Sequence, residues 1–321
     1  MIADIFHHCT DVFRPFLADE GTTEVVVNKP NEVGVEIHGE WQWHDVDLPF
    51  EQLESVAILA AFHTGQDVSQ DTPICRTNMP NGERLHVVMP PVTDPGTISL
   101  TMRRPPSFQP TISGLRDRGM FDQHSVAAEG TLSGFEIGSE LAEKLARAVV
   151  ERKNIIICGA TGSGKTTLSR ALIQHIPLHE RLVTIEDTRE WNDIPHRNWV
   201  PLKYSKTSSG AKCKDLVESG LRMRPDRVLI GELSDEAAFH WIRNAIGGHP
   251  GGITTLHASS AKGAFDALRL MCRESAAGQS IPDTDIREML QEKIDIIVHC
   301  KHEPKAKRYW VDDVYEKEET Q

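Results

Sequence analysis

The stretch NIIICGATGSGKT, residues 154–166, joins a short apolar run to a glycine-rich segment. The run NIIIC predicts a buried strand, and TTLSRALIQHI, residues 166–176, has helical spacing. Between them, residues 159–166 satisfy the pattern GxxxxGK[ST] at every position. A strand, a glycine-rich loop and a helix in this order predict a P-loop. A chance glycine-rich turn would not place both flanking elements in register.

Each group of the loop has a role in binding phosphate. Glycines allow consecutive backbone N–H groups to point at phosphate oxygens, and the helix N-terminus adds a favourable dipole. Lys165 is placed to reach the β- and γ-phosphates, and the hydroxyl of Thr166 to bind Mg²⁺. The predicted binding residues are Gly159, Ala160, Thr161, Gly162, Ser163, Gly164, Lys165, Thr166 and Thr167.

Residues 135–321 continue as alternating helices and buried strands, which predicts a parallel sheet with helices on both faces. The predicted helices are 140–152, 166–176 and 235–246, and the predicted strands are 154–158, 181–185, 227–230 and 253–257.

Three of these strands end in residues that can take part in chemistry. Glu186-Asp187, Glu232 and His257 follow the apolar runs RLVTI, RVLI and ITTL. Ligands of an open parallel sheet bind beyond the carboxyl ends of its strands. We therefore expect Glu232 to orient or deprotonate an attacking water, and Glu186 with Asp187 to join Thr166 around the metal. A helix cap or a surface charge is the alternative for either carboxylate.

His257 lies in the stretch GGHPGGITTLHASS, residues 247–260, directly after the apolar run ITTL. At the phosphate edge its imidazole can donate a hydrogen bond to a phosphate oxygen, or link the phosphate state to the glycine-rich segment 247–252. The alternative is a packed histidine bonded to a backbone carbonyl. His249, inside the glycine-rich segment, is interpreted as structural.

The first hundred residues predict a smaller α+β unit. Helical spacing covers residues 2–17, where Pro15 either kinks the helix or opens a second one. A helix is also predicted for 50–65, and strands for 23–28, 33–38, 83–90 and 97–102. The predicted domains are 1–104 and 135–321, joined by a Pro-, Gly- and Ser-rich connector, 105–134, which carries one short helix.

Composition limits the class of protein. The formal net charge of −12 disfavours a chain whose main task is gripping nucleic-acid phosphates, so no sequence-specific nucleic-acid binding is expected. None of the six cysteines has CxxC spacing, which argues against a zinc ribbon and favours a reduced compartment. The N-terminus lacks the pattern of a signal peptide, and no apolar run could span a bilayer. A cytoplasmic protein is expected, with peripheral membrane contact permitted.

Four ordered motifs then resemble one family. GATGSGKTT (159–167), TIEDTRE (184–190), LRMRPDRVLIGEL (221–233) and GHPGGITTLHA (248–258) are similar to the Walker A, Asp-box, Walker B and His-box motifs of the secretion ATPase superfamily. The branch that they resemble is the hexameric type IV secretion traffic ATPase, or VirB-eleven class. FLADEGTTEVVVNKPNEVGVE (16–36) and ISLTMRRPPS (98–107) also resemble that class.

The resemblance implies a RecA-like motor joined by a linker to an N-terminal domain, with ATP between the two. It implies Mg²⁺-dependent ATP hydrolysis that powers substrate transfer or channel assembly in conjugation. It further implies a homo-hexameric ring, inner-membrane secretion-channel partners and a place at the cytoplasmic face of the inner membrane. Arg103 or Arg104 matches basic residues that approach the nucleotide phosphates in the family; a solvated pair is the alternative. Two departures stand out: Ser234 replaces a common arginine, and Ile246-Gly247-Gly248 replaces Asn-Thr-Gly.

Other functions remain to be weighed. A small-molecule kinase lacks support, because the chain shows neither a phosphoacceptor signature nor an arginine-rich lid. A scaffold is disfavoured because the lysine and both carboxylates are present. A RecA-like nucleic-acid translocase is disfavoured by charge, and Arg222, Arg224 and Arg227 are expected to form local ion pairs. A type IV pilus motor stays the main alternative. Lysines of the loop 203–214 either line a ring lumen or are simply solvated: Lys203, Lys206, Lys212 and Lys214.

Overall fold

The computed structural model describes residues 2–19, 21–37, 39–79, 82–104, 109–122, 139–204, 211–234, 237–276, 278–303, 306 and 308–318. The chain divides into two compact units, Met1–Phe108 and Gln109–Gln321.

The first unit contains helices α1 (Ile2–Thr10), α2 (Arg14–Ala18) and α3 (Phe50–His63), with a 3-10 turn at Asp11–Phe13. Its strands are β1 (Thr22–Val27), β2 (Glu32–Ile37), β3 (Glu40–Asp45), β4 (Ile74–Asn78), β5 (Arg84–Val88) and β6 (Ser99–Arg103). They form one antiparallel sheet in the order β3-β2-β1-β6-β5-β4.

The sequence patterns that predict β1, β2, β5 and β6 are confirmed, and β3 and β4 extend the sheet beyond them. Strand β3 gave no pattern because nearly all of its side chains are exposed; Trp41 and Trp43 are 45% and 50% exposed. Pro15 lies in the first turn of α2, so it opens a second helix and does not kink the first.

The second unit contains helices α4 (Ile112–Asp117), α5 (Ser139–Val150), α6 (Lys165–Ile173), α7 (Cys213–Arg222), α8 (Ala237–Ile246), α9 (Ala261–Glu274) and α10 (Asp283–Lys293). Its strands are β7 (Ile155–Gly159), β8 (Leu182–Glu186), β9 (Trp199–Lys203), β10 (Arg227–Ile230), β11 (Ile253–Leu256), β12 (Ile296–Glu303) and β13 (Arg308–Glu316).

The strands of the second unit form one sheet, built from two hydrogen-bonded groups. The orders are β10-β8-β9 and β11-β7-β12-β13, with all pairs parallel except β12 with β13. A parallel bridge between Glu232 and Thr255 connects the two groups. The resulting succession is β9-β8-β10-β11-β7-β12-β13, so the predicted parallel-rich sheet is confirmed.

Strand β7 shows why helices cover both faces of this sheet. Successive side chains of a strand point to opposite faces. Ile155 and Ile157 accordingly enter one core cluster, with Leu168 and Leu172 of α6 among its members. Ile156 and Cys158 enter the other, which α7 to α10 also supply. A run that is apolar at every position is the pattern of a strand buried on both sides.

Part of the predicted connector 105–134 packs into the core of the second unit, in the cluster that contains Ile155 and Ile157. Helix α4 begins with Thr111 as its N-cap, whose side chain accepts a hydrogen bond from the amide of Gly114. Ile112 and Leu115 are buried, as are Met120 and Phe121 after the helix. The Pro-, Gly- and Ser-rich composition hid this packing. Residues 105–108 and 123–134 of the connector lie outside the described residues.

A buried ion pair holds the amino ends of the strands. Arg227, the first residue of β10, is fully buried and its guanidinium bonds both carboxylate oxygens of Glu180, at 2.6 and 3.0 Å. It also donates to the carbonyl oxygen of Val149 at 2.8 Å. Burial acts to raise the pKa of Glu180, but the bonds and charge of Arg227 outweigh it and hold that pKa below its usual value. The local ion pair predicted for Arg227 is therefore confirmed.

Asn154 binds the glycine-rich segment at the same end of the sheet. Its Oδ1 accepts hydrogen bonds from the amides of Gly251 and Gly252, both at 3.0 Å, and its Nδ2 donates to the carbonyl of Lys293. A Cβ atom on Gly251, where φ is +87°, would lie 2.7 Å from Nη1 of Arg227. Only glycine suits both this conformation and this approach.

All six cysteines are free thiols, and burial raises the pKa of Cys158 to about 12, as expected for a structural core residue. Among the helices of the described ranges, none has both the length and the apolar composition of a membrane span.

Candidate functional site

The P-loop runs from the end of β7 to the first turn of α6. Gly159 and Gly164 adopt φ angles of +151° and +91°, which residues other than glycine rarely adopt. A Cβ atom on Gly159 would also lie 2.3 Å from the carbonyl oxygen of Cys300 on β12. The glycines that sequence reasoning assigned to phosphate binding are therefore required by the backbone as well.

Lys165 lies inside the loop that it is predicted to serve. Its ammonium donates to the carbonyl oxygens of Gly159 and Ala160, at 3.0 and 2.8 Å. The residue is only 7% exposed, so a permanent positive charge is concentrated within the loop. Such a charge at a helix N-terminus attracts anions.

The hydroxyl of Ser163 is a further sign that the loop fits a phosphate. Its Oγ is buried and has no hydrogen-bond partner among the described residues. A buried hydroxyl without a partner costs free energy, and a phosphate oxygen is an acceptor that would satisfy it. Together with the positive-φ glycines and the charge of Lys165, this hydroxyl fits a bound polyphosphate.

Glu186 ends β8 as a buried carboxylate, 5% exposed. Its Oε1 accepts hydrogen bonds from the amides of Glu190 and Trp191, at 2.9 and 3.2 Å. These bonds orient the carboxylate and close the turn that follows β8, so Glu186 has a structural task that the sequence did not reveal. Its place around a metal stays a prediction.

The structure brings Glu232 and His257 together. The Nε2 atom of His257 lies 3.8 Å from Oε1 of Glu232, and the two side chains are 48% and 38% exposed. The backbone explains the approach: Leu233 donates to the carbonyl of Thr255 at 2.8 Å, which aligns the end of β10 with the end of β11. Sequence reasoning placed both residues at this edge but found no partner for His257.

The glycine-rich segment 247–252, to which His257 was expected to pass the state of the phosphate, comes before β11 in the chain. Gly251 and Gly252 precede β11, whereas His257 follows it, so the whole strand separates them. Both glycines are buried and bonded to Asn154. Strand β11 therefore lies between His257 and these two glycines, and a link from His257 to the segment 247–252 stays a prediction.

Tyr204 is a residue of this edge that sequence reasoning missed. It follows β9, and its amide donates to the carbonyl of Glu186 at 3.0 Å. Its phenol is 6% exposed, and burial raises its pKa, with Asp187 and Glu232 among the negative charges that add to the rise. A hydrogen bond joins the phenol to Ser234. The sequence offered no signal for Tyr204, because β9, the strand that precedes it, was not predicted.

Thr166 and Asp187 are the candidates to hold Mg²⁺ at this edge of the sheet. No group of three His, Cys, Asp or Glu side chains in the described ranges could by itself hold a metal ion. Mg²⁺, however, is bound through one or two carboxylates, waters and substrate phosphates, and needs no protein cage. Thr166 in the first turn of α6 and Asp187 after β8 are both partly exposed and fit that mode. Asp187 also accepts a hydrogen bond from the amide of Thr188 at 2.8 Å.

Arg103 and Arg104 lie in the first unit. Arg103 is the last residue of β6 and pairs in register with Glu24 of β1, while Arg104 donates to the carbonyl of Asp19. Their approach to the phosphates stays a prediction. In the loop 203–214, Lys206 lies outside the described residues, and Lys212 is the N-cap of α7, where its amide donates to Asp215.

The family described as "Type II/IV secretion system protein" matches residues 16–312, which is most of the chain. The matched range contains the P-loop, Glu186, Glu232 and His257.

Individual relatives agree with the family match. The chain is 40% identical over 309 residues to the type IV secretion system protein VirB11 of Bartonella henselae, covering 89% of this chain and 86% of that one. The crystal structure of the VirB11 ATPase from the Brucella suis type IV secretion system, in complex with sulphate, is 35% identical with a TM-score of 0.52, covering 97% of each chain. The pilus retraction motor PilT with bound ADP covers 96% of this chain and 82% of its own, with a TM-score of 0.59; at 15% identity it shows the fold alone.

Proposed function

The chain belongs to the type II/IV secretion system protein family, and from that membership we propose that it hydrolyses Mg²⁺-bound ATP to power substrate transfer or channel assembly in type IV secretion. It is an ATPase with a RecA-like motor and an N-terminal domain. The dependence on Mg²⁺ and the step that is powered belong to the proposal.

The observation that carries the proposal is the convergence of one charged loop and one carboxylate–imidazole pair at the same sheet edge. Lys165 and the P-loop amides bind the phosphates, while Glu232 and His257 stand at the ends of β10 and β11. Strand β11 pairs directly with β7, which carries the P-loop. His257 thus follows the strand next to β7, and Glu232 follows the strand after that one.

Glu232 orients the attacking water and accepts its proton. Its carboxylate is more than a third exposed, so a water molecule can reach it. His257, with Nε2 3.8 Å from this carboxylate, is close enough to respond when a phosphate oxygen arrives. Charge that develops on the phosphate oxygens is stabilised by the P-loop amides and by Lys165.

When bound, Mg²⁺ neutralises charge on the β- and γ-phosphate oxygens. Thr166 and Asp187 would hold it, with Glu186 adding a negative charge at the end of β8. Glu186 cannot move freely, because two backbone amides fix its Oε1.

The assembly forms part of the same proposal. A homo-hexameric ring is proposed, resting on the inner membrane and contacting secretion-channel proteins, with Arg103 or Arg104 approaching the nucleotide phosphates. A type IV pilus motor is the weaker alternative. The resemblance to PilT is confined to the fold, whereas the relative with 40% identity is a type IV secretion protein.

Phosphate release from ATP by the full chain tests the enzyme, with and without Mg²⁺. We expect slow turnover that needs Mg²⁺ and that is abolished, together with nucleotide binding, in Lys165→Ala. The loss follows because that variant removes the charge from the middle of the loop. Lys153→Ala, which removes a lysine that precedes β7 and lies outside the loop, is the matched control and should hydrolyse ATP like the parent.

Equal turnover in Lys165→Ala and the parent, in protein free of contaminating ATPases, would refute the site. Light scattering at micromolar concentration with ATP present tests the ring separately; a strictly monomeric protein would contradict it. Gene neighbourhood distinguishes the two functions, because adjacent secretion-channel genes support the proposal and pilin genes support the pilus motor.

A further inference from the structure

A pair of stacked rings lies on the hairpin of β12 and β13. His302 and Tyr309 face each other in the antiparallel register of the two strands. Their ring centroids are 5.9 Å apart and their planes are inclined by only 15°. Tyr309 is 46% exposed, so one large aromatic face of this pair is open to solvent.

The rings adjoin the P-loop. A Cβ atom placed on Gly164 would lie 3.5 Å from Cδ1 of Tyr309, and one placed on Gly162 would lie 3.8 Å from Nε2 of His302. Both values are ordinary van der Waals distances. The register explains them: Cys300 of β12 pairs with Gly159 of β7, so His302 follows by two residues in the direction of the loop.

The order of the strands indicates which part of a nucleotide would reach these rings. Strand β7 has β11 on one side and β12 on the other. Glu232 and His257, which face the phosphate that is cleaved, belong to the β10–β11 side. The opposite end of the nucleotide, its ribose and base, therefore extends toward β12 and β13.

Resting on the proposed ATPase function, we propose that Tyr309 and His302 form a stacking platform for the base of the bound nucleotide. The platform recognises the flat face of a base and not its hydrogen-bonding edge. It therefore contributes affinity for purine nucleotides in general, and ATP and GTP lose affinity together when the rings are removed.

Calorimetric titration of the full chain with two ligands tests the platform. Mg²⁺–ATP carries a base, and inorganic tripolyphosphate with Mg²⁺ carries phosphates alone. We expect Tyr309→Ala to weaken ATP binding by about 5- to 100-fold, the usual range for one stacked base, and to leave tripolyphosphate affinity within about twofold. His302→Ala should act in the same direction, and Tyr309→Phe, which keeps the ring, should bind ATP like the parent.

Phe62→Ala, which removes an aromatic side chain 61% exposed on α3, is the matched control and should change neither affinity. The platform is overturned if ATP affinity is unchanged in both Tyr309→Ala and His302→Ala. It is also overturned if tripolyphosphate loses as much affinity as ATP, because the rings would then only shape the P-loop. Failure of the proposed function is distinct: the parent would bind neither ligand, or Lys165→Ala would bind both.

Discussion

The amino ends and the carboxyl ends of the strands in the motor sheet, here called its amino edge and its carboxyl edge, differ in how deeply their polar groups are buried and bonded. At the amino edge, Asn154, Glu180 and Arg227 are buried: Arg227 bonds the carboxylate of Glu180, and Asn154 accepts a hydrogen bond from the amide of Gly251. At the carboxyl edge, Glu232 and His257 are substantially exposed and lie 3.8 Å apart, beyond hydrogen-bond distance.

This difference separates stability from chemistry within one sheet. Buried polar groups with all their bonds made give the fold a single arrangement, and loss of one partner is costly. Exposed groups with loose contacts add little stability but can meet a ligand. Substitution of Arg227 should therefore change unfolding, whereas substitution of Glu232 or His257 should change turnover.

The largest effect is expected at the amino edge. Arg227→Met should lower the free energy of unfolding by about 3–5 kcal/mol, because it leaves the carboxylate of Glu180 buried without its partner. Urea denaturation of the full chain measures this. The double variant Arg227→Met/Glu180→Met should recover part of the loss, since apolar side chains then replace the whole pair. A loss below about 1 kcal/mol in the single variant would contradict a structural role.

Glu232→Gln should produce the reverse pattern. The amide keeps the shape of the side chain but cannot accept a proton, so turnover should fall by about 10²-fold or more while ATP still binds. The free energy of unfolding should change by less than about 0.5 kcal/mol, as for most partly exposed positions. If turnover remained within about twofold of the parent, the proton-accepting role would pass to Glu186 as the next candidate.

A smaller effect is expected for His257→Ala, about tenfold in turnover, or about 1.4 kcal/mol. ATP affinity should be nearly unchanged, because Lys165 and the P-loop amides supply most of the phosphate binding. His257→Gln retains a hydrogen-bond donor and should be milder. Nucleotide affinity and turnover measured side by side decide the matter. Parental turnover in His257→Ala, or loss of folding, would return this histidine to a structural role.

The sequence predicted the motor core well because its strands are continuous apolar runs with polar residues at their ends. Strands β7, β8, β10 and β11 and the P-loop all follow from that pattern. Strand β9 does not, because Pro201 interrupts it; the structure tolerates this proline since β9 is the outer strand of its group.

The approach of Glu232 to His257 could not be predicted, because it depends on the order of strands in the sheet. Apolar runs indicate that β10 and β11 exist but not that they adjoin. Tyr204 was missed for the same reason: it joins the site from the end of β9, and no motif contains it. The one short helix predicted in the connector is present as α4, but the Pro- and Gly-rich composition around it gave no sign that it packs into the core.

The bridge between Glu232 and Thr255 has a mechanical consequence. It joins the three strands β9, β8 and β10 to the four strands β11, β7, β12 and β13. The amide and hydroxyl of Thr255 both donate to the carbonyl of Gly231, at 3.1 and 3.0 Å. This seam ends at the very residue proposed to direct water. A relative movement of the two groups of strands would therefore act on the backbone of Glu232 directly, through this bridge.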